Sequence, residues 1–146
     1  MTAISGEFPT SQLNRLPASP YYLEAVVTAL KKAGLLRTYY RDRLRGYRLG
    51  AKAKLVLLDG WPERFTFCLT GDAETNRLKS EANRRFRLHR LAETYITMGN
   101  AGVLLYPDEK PKVFAQTGFG GEAVTYPVFY SSREVKELGA DATQIR

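Results

Sequence analysis

Apolar residues recur at helical spacing from Leu23 through Val26 and Val27 to Leu30, and the chain marks both ends of that run. Ser19 stands where an N-cap belongs, Pro20 follows at the first helical position, and Gly34 supplies a C-terminal stop. Upstream, Thr10 opens a brief helix that ends near Leu16, and Pro17, Ala18 and Ser19 make a tight turn. Downstream the period changes to two. Leu35 to Arg41 reads as a strand, with Leu36, Thr38 and Tyr40 on one side and Arg37, Tyr39 and Arg41 on the other. Leu44 to Leu49 reads as its partner across a turn spread over residues 42–46, and Ala51 to Leu58 starts another helix, broken by the run from Asp59 to Pro62.

The remainder is less regular. Glu63 to Leu69 suits a helix or a strand, and Thr70, Gly71 and Asp72 form a second break. Ala73 to Asn100 predicts one long helix. Its first half is polar and basic (Arg77, Lys79, Arg84, Arg85, Arg87, Arg90), and its second half carries Leu88, Leu91, Ala92, Tyr95 and Ile96. Strands are expected at Val103–Tyr106 and Val113–Ala115, a glycine-rich loop at Gly118–Gly121, and an edge strand at Thr125–Tyr130 around Pro127. Ser131 and Glu134 match a capping box. Residues 1–8 leave room for only a very short first helix, or mark an N-terminally shortened chain. The expected fold class is α+β: a winged helix-turn-helix over residues 1–60, then a long helix and a small β-containing region over residues 61–146, the latter complete or cut short.

Charge sharpens this picture. The chain has a formal net charge of +7, and residues 1–90 carry 17 basic and 8 acidic side chains against 5 and 7 in residues 91–146. Seven of the basic residues and one acidic residue lie between Arg37 and Lys54. A one-sided basic field favours a polyanion, because each neutralised phosphate releases condensed counterions. With its apolar stripe turned inward, the capped helix presents Tyr22, Ala25, Thr28, Ala29 and Lys32, whose small and hydrogen-bonding side chains suit the major groove, and Tyr21 in its first turn is a further expected DNA contact. Thr10, Ser11 and Ser19 sit at helix starts, where backbone amides attract phosphate. Arg37, Arg41, Arg43, Arg45 and Arg48 on the hairpin are expected to track phosphates or enter a minor groove. Double-stranded DNA is therefore the expected partner, and a winged helix that docks protein is the alternative. Arg84, Arg85, Arg87 and Arg90 extend that footprint or solvate one helix face.

The run LKKAGLLR from Leu30 to Arg37 resembles the end of a recognition helix leading into a wing, and RGYRL from Arg45 to Leu49 resembles the returning wing strand. On these motifs residues 9–58 look like the winged-helix domains of bacterial transcription regulators and plasmid proteins. RLHRLA, from Arg87 to Ala92, is similar to the replication-relaxation family of plasmids and conjugative elements, whose members pair a winged helix with a nuclease-like domain. That resemblance implies a role in replication, mobilisation or regulation of a mobile element. It makes the front of a relaxase or nuclease the competing reading.

Little in the chain suggests an enzyme or a cofactor. One cysteine, Cys68, excludes an intrachain disulfide and a cysteine-based zinc site, and His89 is the only histidine. Cys68 is expected to be a buried small apolar residue, and His89 to serve the core rather than contact a phosphate, the alternative. Asp108 with Glu134 and Lys136 matches a restriction-type metal pattern literally, but that pattern needs Glu134 on a strand where the capping box predicts a helix. The glycine-rich loop lacks the Lys-Ser/Thr of a phosphate cradle. No catalytic, metal or cofactor site is expected. No apolar run is long enough to span a membrane and residues 1–8 have no basic leader, which fits a cytoplasmic protein. A homodimer through the long helix is the remaining expected partner.

Overall fold

A computed structural model describes residues 1–71, 79–110, 127–132 and 134–136. The architecture is mixed α+β, with a three-stranded antiparallel sheet among helices. Helix α1 (Thr2–Ser5) is a single turn, ended at Gly6. Strand β1 (Phe8–Pro9) follows, then a 3-10 helix (Thr10–Arg15). The run that looked like a short helix thus winds more tightly than an α-helix, and β1 was not foreseen.

Helix α2 (Pro20–Lys32) begins and ends as its sequence predicts. Ser19 Oγ accepts a hydrogen bond from the Tyr22 amide at 3.3 Å, satisfying a donor that the first turn leaves orphaned. At the other end Gly34 takes a left-handed φ of 70°. The Leu35 amide then reaches back to the Leu30 carbonyl at 2.9 Å and the Gly34 amide to that of Lys31 at 3.0 Å. This is the Schellman arrangement, which satisfies two of the last carbonyls and turns the chain into β2.

Strands β2 (Leu36–Arg41) and β3 (Leu44–Leu49) pair from Leu36 opposite Leu49 to Arg41 opposite Leu44. The loop is only Asp42 and Arg43, with φ of 55° and 61°, so Leu44, Arg45 and Gly46 belong to the strand and not to the turn. Two successive left-handed residues give the primed turn whose twist matches that of the flanking strands. On the other side of β3, β1 pairs Phe8 with Tyr47 and Pro9 with Gly46, so the strand order is β1-β3-β2. Proline, lacking an amide proton, is tolerated on this edge.

Helix α3 (Ala51–Gly60) runs two residues beyond its expected end at Leu58, and α4 (Pro62–Leu69) resolves the ambiguous segment as helix. The long helix is shorter than expected. Helix α5 spans Ala82–Asn100, with Lys79 and Ser80 non-helical before it; residues 72–78 lie outside the described part. Leu88, Ala92, Tyr95 and Ile96 form its buried stripe, and α1, β1 and β3 pack on it. One core cluster joins Ala3 and Ile4 of α1 to Phe65, Cys68 and Leu69 of α4, Tyr95 of α5 and Leu105. Cys68 is fully buried there, as expected.

Beyond α5, the expected strand at Val103–Tyr106 reduces to one bridging residue, Leu104, paired in parallel with Val128. A 3-10 turn (Pro107–Glu109) follows. The predicted capping box forms: the Ser131 amide donates to Glu134 Oε2 at 2.7 Å, and the Glu134 amide to Ser131 Oγ at 3.3 Å. The strand expected at Val113–Ala115 and the Gly118–Gly121 loop fall outside the described residues.

Gly46 is where packing forbids any side chain. A Cβ there would stand 2.3 Å from Glu7 Oε1. Gly46→Ala is expected to lower stability by about 1–3 kcal/mol, the range for forcing a methyl group into a filled interior. Urea denaturation checks this, as a lowered midpoint at unchanged slope.

Candidate nucleic-acid interface

The two sides of α2 are sharply divided. Leu23 is buried and Val26, Val27 and Leu30 are half-buried, whereas Tyr21, Tyr22, Ala25, Thr28 and Lys32 are exposed. Tyr21 and Tyr22 project furthest, at 85% and 60% exposure, from the helix's first turn. Ser19 is exposed, but its hydroxyl is engaged as the helix cap.

The hairpin sorts its basic residues by register. Cross-strand partners share a face, so Tyr40 and Arg45 lie on the same side as Leu36, Tyr47 and Leu49, the side that α2 covers. Arg37 and Arg41 lie on the opposite side with Tyr39, and Arg43 occupies the turn. The tip arginines therefore point three ways and do not form a single stripe. All four of Arg37, Arg41, Arg43 and Arg45 are exposed. Only Arg41 has an ion-pair partner among the described residues, its neighbour Asp42 at 3.6 Å, and so exposed a pair contributes little. Tyr40, 68% exposed beside Arg45, is a surface aromatic not among the expected site residues.

Arg48 does not belong to this surface. It is buried, and its guanidinium meets Glu7 Oε2 through both Nε and Nη2 at 2.7 Å. The basic run of the hairpin suggests a phosphate contact at Arg48. Its side of β3, however, faces α5. Arg85 is equally buried, so it neither extends a footprint nor solvates a helix face. Its Nη2 lies 2.5 Å from Glu7 Oε1. It also donates to three hairpin carbonyls: Arg41 at 2.6 Å, Leu44 at 3.0 Å and Tyr39 at 3.3 Å. His89 Nε2 completes the cluster, 2.8 Å from Glu7 Oε1. An ionised carboxylate only accepts, so this nitrogen carries the proton. The Tyr39 ring covers the two guanidinium groups, 4.1 Å from Arg48 and 4.7 Å from Arg85. Hydrogen bonds with Ser80 and Arg41 lower the Tyr39 pKa.

Thr10 and Ser11 open a 3-10 helix of six residues, too short to build a useful dipole. Thr10 Oγ1 donates to the Arg45 carbonyl at 3.4 Å, tying this turn to β3. Both residues line a groove shared with Pro20 and Glu24, and the Glu24 carboxylate makes that groove a poor seat for phosphate.

The two carboxylates of the literal nuclease pattern have other partners. Arg64 holds Asp108 through contacts of 2.7 to 3.0 Å and reaches Glu109 at 2.9 Å. Lys110 Nζ lies 2.5 Å from Glu134 Oε1, and Glu134 sits on the capped turn rather than on a strand. Among the described residues no three His, Cys, Asp or Glu side chains converge on a possible metal position, and no helix is long and apolar enough to cross a membrane. No family model matches the chain, and no curated protein or solved structure is significantly similar to it.

Burial alone would raise the Glu7 pKa, but hydrogen bonds from His89, Arg85 and Arg48 outweigh it and bring the carboxyl from 4.5 down to about 2. A carboxyl depressed in the native state stabilises it fully above the unfolded pKa. That stabilisation is lost as pH falls from about 4.5 through about 2. Glu7→Gln leaves two buried guanidinium groups without a counter-charge, at a cost of about 3–5 kcal/mol. Denaturation curves from pH 6 to pH 2 are expected to show wild-type stability falling steeply in that window and a flatter profile for the variant.

Proposed function

We propose that this chain is a winged-helix module that binds duplex DNA, with α2 entering the major groove and the β2–β3 hairpin meeting the backbone beside it. The observation that carries this reading is the exposure of one α2 face together with four exposed arginines on the adjoining hairpin, of which Arg45 shares the side that α2 covers. Three of them, Arg37, Arg43 and Arg45, have no carboxylate partner among the described residues. The succession of short helix, edge strand, tight helical turn, capped helix and hairpin supports the winged-helix assignment, as does the strand order β1-β3-β2. The formal charge of +7 supports a polyanionic partner.

Roles divide by position. Arg37, Arg41, Arg43 and Arg45 neutralise phosphates. Tyr22 and Thr28, with Ala25 leaving room for close approach, meet base edges, while Lys32 and Tyr21 lie at the helix ends near the backbone. Tyr40 and Arg45 share the side of the hairpin that α2 covers and extend the contact between helix and wing. Arg48 takes no part, except by holding the wing in place.

Anisotropy titrations with random duplexes from roughly 50 to 200 mM salt test the reading. The triple variant Arg41→Ala, Arg43→Ala, Arg45→Ala is expected to weaken binding to every sequence and to flatten the logarithmic salt slope by up to about 3. Tyr22→Phe and Thr28→Val are expected to change sequence preference by about 1–3 kcal/mol per affected base pair and to leave the slope alone. Failure of the wild-type chain to bind any duplex at low salt would instead support a protein-docking role.

A further inference from the structure

Beneath α2 lies a cavity of about 300 Å³ with a wide mouth to solvent, on the side away from the exposed tyrosines. Leu23, Val27 and Leu30 of α2 form one wall, Leu36 of β2 another, and Leu57 of α3 and Phe65 of α4 close the far side. Its origin is visible in the packing. Helix α1 is a single turn, and α2 rests chiefly on β2 and the first 3-10 helix, so the space between α2, α1 and α4 is left open. Val26, Val27 and Leu30 stay half-buried in consequence, although they lie on the inward face.

Among the described residues Thr2 and Tyr47 contribute the only polar side chains to the lining and no charged side chain lines it, while the α-ammonium of Met1 is turned to the Tyr106 hydroxyl at 3.4 Å. Water would find few partners there, and an ion would lose its hydration without compensation. The volume is twice that of a cavity of about 150 Å³, which admits one benzene. We propose that this cavity is a binding site for a neutral, largely apolar small molecule about the size of two fused aromatic rings. The hydroxyls of Thr2 and Tyr47 accommodate one polar group on it. The site depends on the walls alone and is independent of the nucleic-acid reading.

Titrating the full ¹⁵N-labelled chain with indole tests this. Saturable amide shifts are expected around Val27, Leu36 and Leu57. Indole-3-carboxylate, whose charge would give up hydration against an almost wholly apolar lining, is expected to bind at least about tenfold more weakly. Filling the space with Val27→Phe is expected to abolish the indole response. Leu57→Phe fills it from the opposite wall and serves if the first variant does not fold. No saturable response in the wild-type chain would overturn the proposal. So would equal binding of the two compounds, or an undiminished response in a folded, filled variant.

Discussion

The Glu7 carboxylate holds the molecule together. It is completely buried, and three cationic or proton-donating groups converge on it: Arg48 from β3, and Arg85 and His89 from α5. A lone carboxylate in such a place would be costly, and so would either guanidinium. The cluster is tolerable because both guanidinium groups share the one carboxylate and the further N–H groups of Arg85 find carbonyls, while Arg48 Nη1 reaches the Ser80 hydroxyl. Those carbonyls belong to Tyr39, Arg41 and Leu44, so the same side chain that neutralises Glu7 clamps the hairpin backbone. The N-terminal strand, the hairpin and α5 are thereby joined through one ion, and Gly46 is bare because that ion occupies its space.

What could be read from the sequence was what is decided locally. The cap at Ser19, the proline after it and the stop at Gly34 act within a few residues, and α2 appears with those ends. The hairpin followed from alternation, although its turn proved to be two residues because Asp42 and Arg43 accept left-handed backbone usually left to Gly or Asn. Strand β1 was not legible. Two residues carry no period, and they become a strand only because β3 offers them an edge. The burial of Arg48 was not legible, because the carboxylate that draws it inward lies 41 residues earlier in the chain. A signal for Arg85 did exist. Counting back along the α5 stripe from Ile96 and Ala92 reaches His89 and Arg85, which puts both on the core face. The basic composition of that stretch masked the spacing.

Helix α2 stands in an unusual balance. Its outward face is polar and fully presented, while its inward face is apolar and only partly covered. A one-turn α1 cannot fill the space that Leu23, Val27 and Leu30 face, so the helix is held from one flank by β2 and the 3-10 turn and at its ends by its caps. Surface and cavity are thus two sides of one element.

The clamp on the hairpin also has an entropic side. A free two-stranded ribbon is marginal in water, and ordering each of its residues costs about 1–2 kcal/mol of backbone freedom. Here that freedom is surrendered during folding, when Arg85 and Glu7 seize the strands. A molecule that later meets Arg43 or Arg45 finds the peptide chain beneath them already still. Only the side chains remain to be ordered, and the loss that usually weakens binding by a flexible arm has been separated in time from the encounter.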